Sequence, residues 1–148
     1  MRKSLSIVLV ALFAAFTSLT AQAQEYKTLP QNAKAYISKH FGGYTINHYD
    51  KEQELLDVDY TVYISNNKAS FKLEFDKNGN IKDIESKDEK NALPKSVLPV
   101  KITQHIHSKF PNARIVEWNR KKNTQIVELD NGIELVFNGK GDFLRIDD

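Results

Sequence analysis

Two kinds of periodicity run through the chain. In "FKLEF", apolar Phe71, Leu73 and Phe75 alternate with Lys72 and Glu74, which is the period of a strand with one buried face. Elsewhere apolar residues recur at helical spacing: Ala33, Ile37 and Phe41, then Ile102, Ile106 and Phe110. Pro30 and Pro99 suit a first helical turn, where a missing N–H costs nothing. Gly42-Gly43 and Pro111 close the two helical runs.

The pattern occurs twice. Leu29-Pro30 returns as Leu98-Pro99, Phe41 as Phe110 and Ile46 as Ile115, all at an offset of 69 residues. In the same register Tyr49 matches Trp118. Further on the offset is 62: Phe71, Leu73, Phe75 and Gly79 match Ile133, Leu135, Phe137 and Gly141. The first copy therefore holds seven extra residues, around "QELLDVD" and "SNNK". A regular internal repeat says more about fold than any single motif.

Four short strands are predicted after each helix: 44–49, 56–64, 69–75 and 80–85, then 113–119, 124–130, 132–138 and 142–147. Asn131-Gly132 is a hairpin signal, and "DKNGN" and "NGKGD" carry the Gly and Asn of longer turns. Short links between strands imply an antiparallel meander. The expected fold is α+β, two tandem helix-plus-four-strand repeats with the helices packed on one face. "ESKDEKNALPK" joins the copies, so the expected division is a first repeat over 24–92 and a second over 93–148.

The segment before the first repeat changes the charge. Arg2 and Lys3, an apolar run from Ile7 to Phe16, and Ala21-Gln22-Ala23 form the pattern of a secretory signal peptide over residues 1–23. The apolar run is short for a bilayer span, so no stable membrane anchor is expected after cleavage. The chain has 21 Lys+Arg and 19 Asp+Glu. Removing Arg2 and Lys3 leaves 19 against 19, without the basic excess of a nucleic-acid binder. There are no cysteines, which excludes disulfides, thiol catalysis and Cys-based zinc sites. The expected location is the periplasm or the medium.

With "LP", helices ending "KHF" and "SKFP", the strand "ARIVEW" and the string "VELDNGIELVFNGKGDFLRID" laid out, the chain resembles the PepSY-like, β-lactamase-inhibitor-like family over roughly 27–148. The resemblance implies an exported bacterial protein with a tandem α+β fold, a protein-binding or inhibitory role and no catalytic residues. The first copy departs from the pattern in lacking a "DNG" at its matching hairpin.

Candidate chemistry is sparse. His105 and His107 sit two apart, so on a helix they point about 200° apart and do not converge on an ion. "DKNGN" has Gly at its fourth position, where a calcium loop wants it at the sixth, and reads as a hairpin turn. Asp57 and Asp59 share a strand face with no sign of the burial that acid–base work needs. "NRKKN" reads as a solvated basic tip. No Gly-x-Ser-x-Gly occurs. The expectation is a protein without catalytic residues, metal or cofactor.

One surface remains. With Ile46, Phe71, Leu73, Phe75, Ile115, Ile133, Leu135 and Phe137 on the core face, alternation turns Tyr49, Tyr63, Val116, Trp118, Ile126 and Val136 to the open face. Arg114, Lys72, Glu74 and Glu134 surround them. Exposed apolar surface rimmed by charge marks partner sites. The alternatives are ordinary cross-strand packing and contact with a second copy. The expected function is an exported, non-enzymatic protein-binding module, an inhibitor of a hydrolase or peptidase, acting through this face. The alternative is a periplasmic small-ligand or envelope-stress sensor with its site in a cleft between the repeats. Export is checked by the mass of the mature protein, which should lack residues 1–23; an intact Met1 in the cytosol would contradict it.

Overall fold

The computed structural model of the chain describes residues 26–88 and 90–147, so the expected signal segment and cleavage site lie outside the described residues. Helix α1 (Gln31–His40) precedes β1 (Thr45–Glu54), β2 (Asp57–Ser65), β3 (Ser70–Phe75) and β4 (Ile81–Ser86). A 3-10 turn (Lys95–Val97) leads to α2 (Val100–Lys109), then β5 (Ile115–Arg120), β6 (Thr124–Leu129), β7 (Glu134–Asn138) and β8 (Phe143–Asp147). The eight strands make one open antiparallel sheet in sequence order. Pro30 and Pro99 stand just before the first helical residue, with extended ψ.

Both helices cover the same face. Ala33, Ile37 and the cap residue Phe41 bury with Ile102 and Ile106 into one cluster with Phe71, Leu73, Phe75, Leu135 and Phe137. Phe41 is fully buried against Phe71, whereas Phe110, its counterpart, is only partly buried. Gly79 and Gly141 bring the β3–β4 and β7–β8 turns onto the starts of the helices. Both have φ near +80°, and a Cβ at Gly79 would lie 2.7 Å from the backbone N of Ala33.

The strand register decides which side chains reach this core. At the start of β1, Ile46 pairs with Ile64 but His48 pairs with Tyr63, so Asn47 is an extra residue. At the start of β5, Ile115 pairs with Leu129 but Glu117 pairs with Glu128, so Val116 is extra. Each β-bulge flips the alternation of the strand beyond it. In consequence Tyr49 and Trp118 face the helices, not the open side as simple alternation requires. They are 8% and 4% exposed. One row on the helix side crosses the sheet: Tyr49, Val62, Leu73, Ile84, Trp118, Val127 and Leu135 are buried in it, and Ile146, at the β8 edge, is exposed.

Burial of Trp118 is matched by polar satisfaction. Its Nε1–H donates to Oε1 of buried Gln125 at 3.0 Å, and Gln125 Nε2 donates to the carbonyls of Asn138 and Gly139. An indole N–H left unpaired here would cost stability. The Tyr49 hydroxyl lies 3.2 Å from Thr28 Oγ1.

The extra residues of the first half fall in two places. Tyr49 pairs with Val62, thirteen positions on, whereas Trp118 pairs with Val127, nine positions on. Val62 pairs with Leu73, eleven positions on, whereas Val127 pairs with Leu135, eight on. Four residues therefore lengthen the β1–β2 hairpin and three the β2–β3 hairpin. The longer β1–β2 hairpin runs past Tyr60, where pairing with β3 stops, and ends in exposed Leu55 and Leu56.

Trp118→Ala should destabilise the fold by about 3–5 kcal/mol, the range for a large aromatic removed from a core. Equilibrium urea unfolding measures this; a loss below about 1 kcal/mol would mean that the ring packs against little.

Candidate functional site: the open face of the sheet

The face away from the helices is built from two transverse rows. One contains His48, Tyr63, Lys72, Glu85, Glu117, Glu128, Glu134 and Asp147, each directly opposite the next. The neighbouring row contains Asp50, Thr61, Glu74, Asp83, Asn119, Ile126, Val136 and Arg145. Of the residues expected here, Tyr63, Ile126, Val136, Lys72, Glu74 and Glu134 belong to these rows. Val116, the bulge residue, is buried but stands apart from the helix-side cluster. Arg114 precedes β5 and is taken up by Asp130, with Nε 2.9 Å from Oδ2. Tyr49 and Trp118 do not belong to the face, for the reason of register given above.

Lys72 is the hub of the first-half portion. Its Nζ lies 2.7 Å from Glu85, 3.2 Å from Glu74 and 3.8 Å from Asp83. Partial burial lowers the Lys72 pKa, but the bonds to Glu85 and Glu74 outweigh it and hold the ammonium above its ordinary value. Burial pushes Glu85 up, yet Lys72 and Lys87 together bring it below the usual carboxylate range. Asp83 is 3% exposed. Burial raises its pKa even though Asn119 donates to its Oδ1 at 3.0 Å.

Glu117 has the most perturbed carboxylate of the face. Burial, then the charges of Asp83, Glu128 and Glu85, push it up to about 7, with Lys72 acting in the opposite sense. Sequence inspection missed Glu117, Glu128, Glu85 and Asp83. Assigning Glu117 to this face requires the Val116 bulge. The available signal was the recurrence of Glu or Asp beside core residues in "VEW", "VEL" and "IEL".

The other candidate features resolve into structure. Asp76 Oδ1 accepts the backbone N–H groups of Asn78 and Asn80 at 2.8 and 2.9 Å, so "DKNGN" is held as a turn. Asn138 does the same for Lys140 and Asp142. His105 stacks on Phe143 at 4.5 Å, and exposed His107 borders a separate cavity described below. Asp59 pairs with Lys82. Among the described residues no group of three or more His, Asp or Glu converges as a metal would require. Adjacent strands hold the carboxylates of the row apart by roughly 4.8 Å.

Fold and surface together define an α+β protein whose antiparallel eight-stranded sheet is helix-covered on one side and open on the other. The chain belongs to the PepSY-like family: the family model described as "Putative beta-lactamase-inhibitor-like, PepSY-like" matches residues 18–83 and 58–145. A solved "putative periplasmic protein" from Bacteroides vulgatus is 30% identical, with TM-score 0.73 over 82% of this chain and 92% of that one. A "putative calcium-regulated periplasmic protein" from Bacteroides thetaiotaomicron is 27% identical, with TM-score 0.74 over 82% and 92%. A second Bacteroides vulgatus periplasmic protein is 25% identical, with TM-score 0.74 over 82% and 94%. Among curated proteins none matches the chain. No helix among the described residues is long and apolar enough to cross a membrane.

The sign of the Glu117 shift gives a pH prediction. A carboxyl whose folded pKa is raised to about 7 favours the fold below its unfolded value near 4.5, and that favour is lost as pH rises through 7. Glu117→Gln should therefore stabilise the protein at pH 8 by roughly 1–3 kcal/mol and change little near pH 4.5. Thermal melts of both proteins at the two pH values test this; equal effects at both would show that Glu117 titrates normally.

Proposed function

We propose that this is an exported, non-enzymatic protein-binding module that inhibits a hydrolase or peptidase through the open face of its sheet. The single carrying observation is that face: eight strands wide, uncovered, and lined by charged side chains beside Ile126 and Tyr63. The inhibitor-like family description and the periplasmic relatives support the reading. It includes removal of residues 1–23 and descent of the two halves, 24–92 and 93–148, from one helix-plus-four-strand unit. It includes no catalysis, because Lys72 and the carboxylates lie along an open sheet face rather than in a walled pocket.

A second reading, small-ligand sensing, has its own observation. A cavity of about 570 Å³ opens beside the connector, lined by Leu93, Leu98, Ile106 and Phe110 with Lys95 and Arg114 at its edge. That chemistry suits a small amphiphile with an acidic head.

Titration of the mature protein into assays of a class A β-lactamase and of a periplasmic peptidase tests the first reading. Saturable inhibition of one enzyme is expected. Ile126→Lys, at a partly exposed position, should weaken it by about 2 kcal/mol or more while the protein stays folded. Unchanged inhibition by folded Ile126→Lys would remove the face from the contact. A small molecule retained in native mass spectra, with no inhibition of either enzyme, would favour the cavity.

A further inference from the structure

Glu85, Glu117, Glu128, Glu134 and Asp147 stand directly opposite one another on five successive strands. Like charges facing each other across strands weaken a sheet. The fold offsets this only at the ends of the row. Lys72 and Lys87 engage Glu85, and Arg145 engages Asp147. Among the described residues no ion pair reaches Glu117, Glu128 or Glu134. The neighbouring row gives Asp83 and Glu74 on one side and, on the other, partly exposed Ile126 beside buried Val136.

We infer that this row receives a partner's amphipathic helix, laid across the strands with a stripe of Lys or Arg over the carboxylates. The inference rests on the open face being a contact surface and adds the chemistry of what covers it. Charge complementarity sets the sign. Spacing sets the element. The carboxylates recur at about 4.8 Å, the distance between strands, and five of them span roughly 19 Å. Side chains one turn apart on a helix recur at about 5.4 Å. Those on one side of an extended strand recur at about 6.8 Å, which drifts out of step by nearly 8 Å over the row. A helix drifts by about 2.4 Å, well within the reach of Lys and Arg. Its apolar flank would lie along partly exposed Ile126. Protons compete with such a partner for Glu117, so binding should weaken on acidification through pH 7.

The probes are three synthetic peptides of equal charge. One is a helix with lysines at i, i+4, i+7 and i+11, one is its scramble, and one is an extended peptide with alternating Lys and Thr. Calorimetry of the mature protein at low salt should show the striped helix at least tenfold tighter than either. Glu117→Gln with Glu128→Gln should lose at least tenfold and melt no lower than the parent. Glu52→Gln with Glu54→Gln, an equal charge change on the β1–β2 hairpin, should lose less than threefold. Equal binding of striped and scrambled helices, preference for the extended peptide, equal loss in both variants, or a lower melt of the row variant would each overturn the inference. If the peptides fail while Ile126→Lys still abolishes enzyme inhibition, the contact surface stands and only the basic helix falls.

Discussion

One extra residue at the start of β1 and another at the start of β5 control which surface this protein shows. A β-bulge moves every later side chain of its strand to the other face. With Asn47 and Val116 as bulges, Tyr49 and Trp118 complete the core row and Glu117 turns outward. Without them the two largest rings of β1 and β5 would lie in water, and Glu117 would meet the helices. The hydrogen bond from Trp118 to buried Gln125 supports the choice, since a buried indole N–H needs a partner.

The same bulges explain what the sequence made legible. Helix positions, the order of eight strands and the turn at "DKNGN" follow from local periodicity and turn chemistry, which act over a few residues. The bulges leave no such trace. "ARIVEW" alternates as well in one phase as in the other, and only the cross-strand partners Leu129 and Val127 show where the phase changes. The face around Lys72, Glu74 and Glu134 could be placed because β3 and β7 are regular where those residues stand. Glu117 and Trp118 could not, because each lies one or two residues beyond a bulge. Location of the seven extra residues likewise needed pairing, which divides them between two hairpins.

The two faces of the sheet are held by different forces. The helix side is a continuous apolar row closed by two helices and two glycine turns, so it carries the burial free energy of the domain. The outer side contributes little of that. Its carboxylates are partly desolvated by one another and by the sheet, which raises Asp83 and Glu117 and makes their ionisation a cost to the fold. A surface kept at that cost is unlike a solvated face, where charges are free to spread apart.

The matching positions of the two halves sharpen this contrast. On the core side they are kept: Tyr49 and Trp118, Val62 and Val127, Leu73 and Leu135. On the outer row His48, Tyr63, Lys72 and Glu85 correspond to Glu117, Glu128, Glu134 and Asp147. One half is thus mixed in charge and aromatic, and the other is wholly acidic. Core positions are held alike because both halves must close over equivalent helices. The outer positions carry no such constraint, and their charge is polarised along the sheet. A partner lying across all eight strands would meet an imidazole and a phenol at one end and a run of carboxylates at the other. That asymmetry would fix its direction on the sheet.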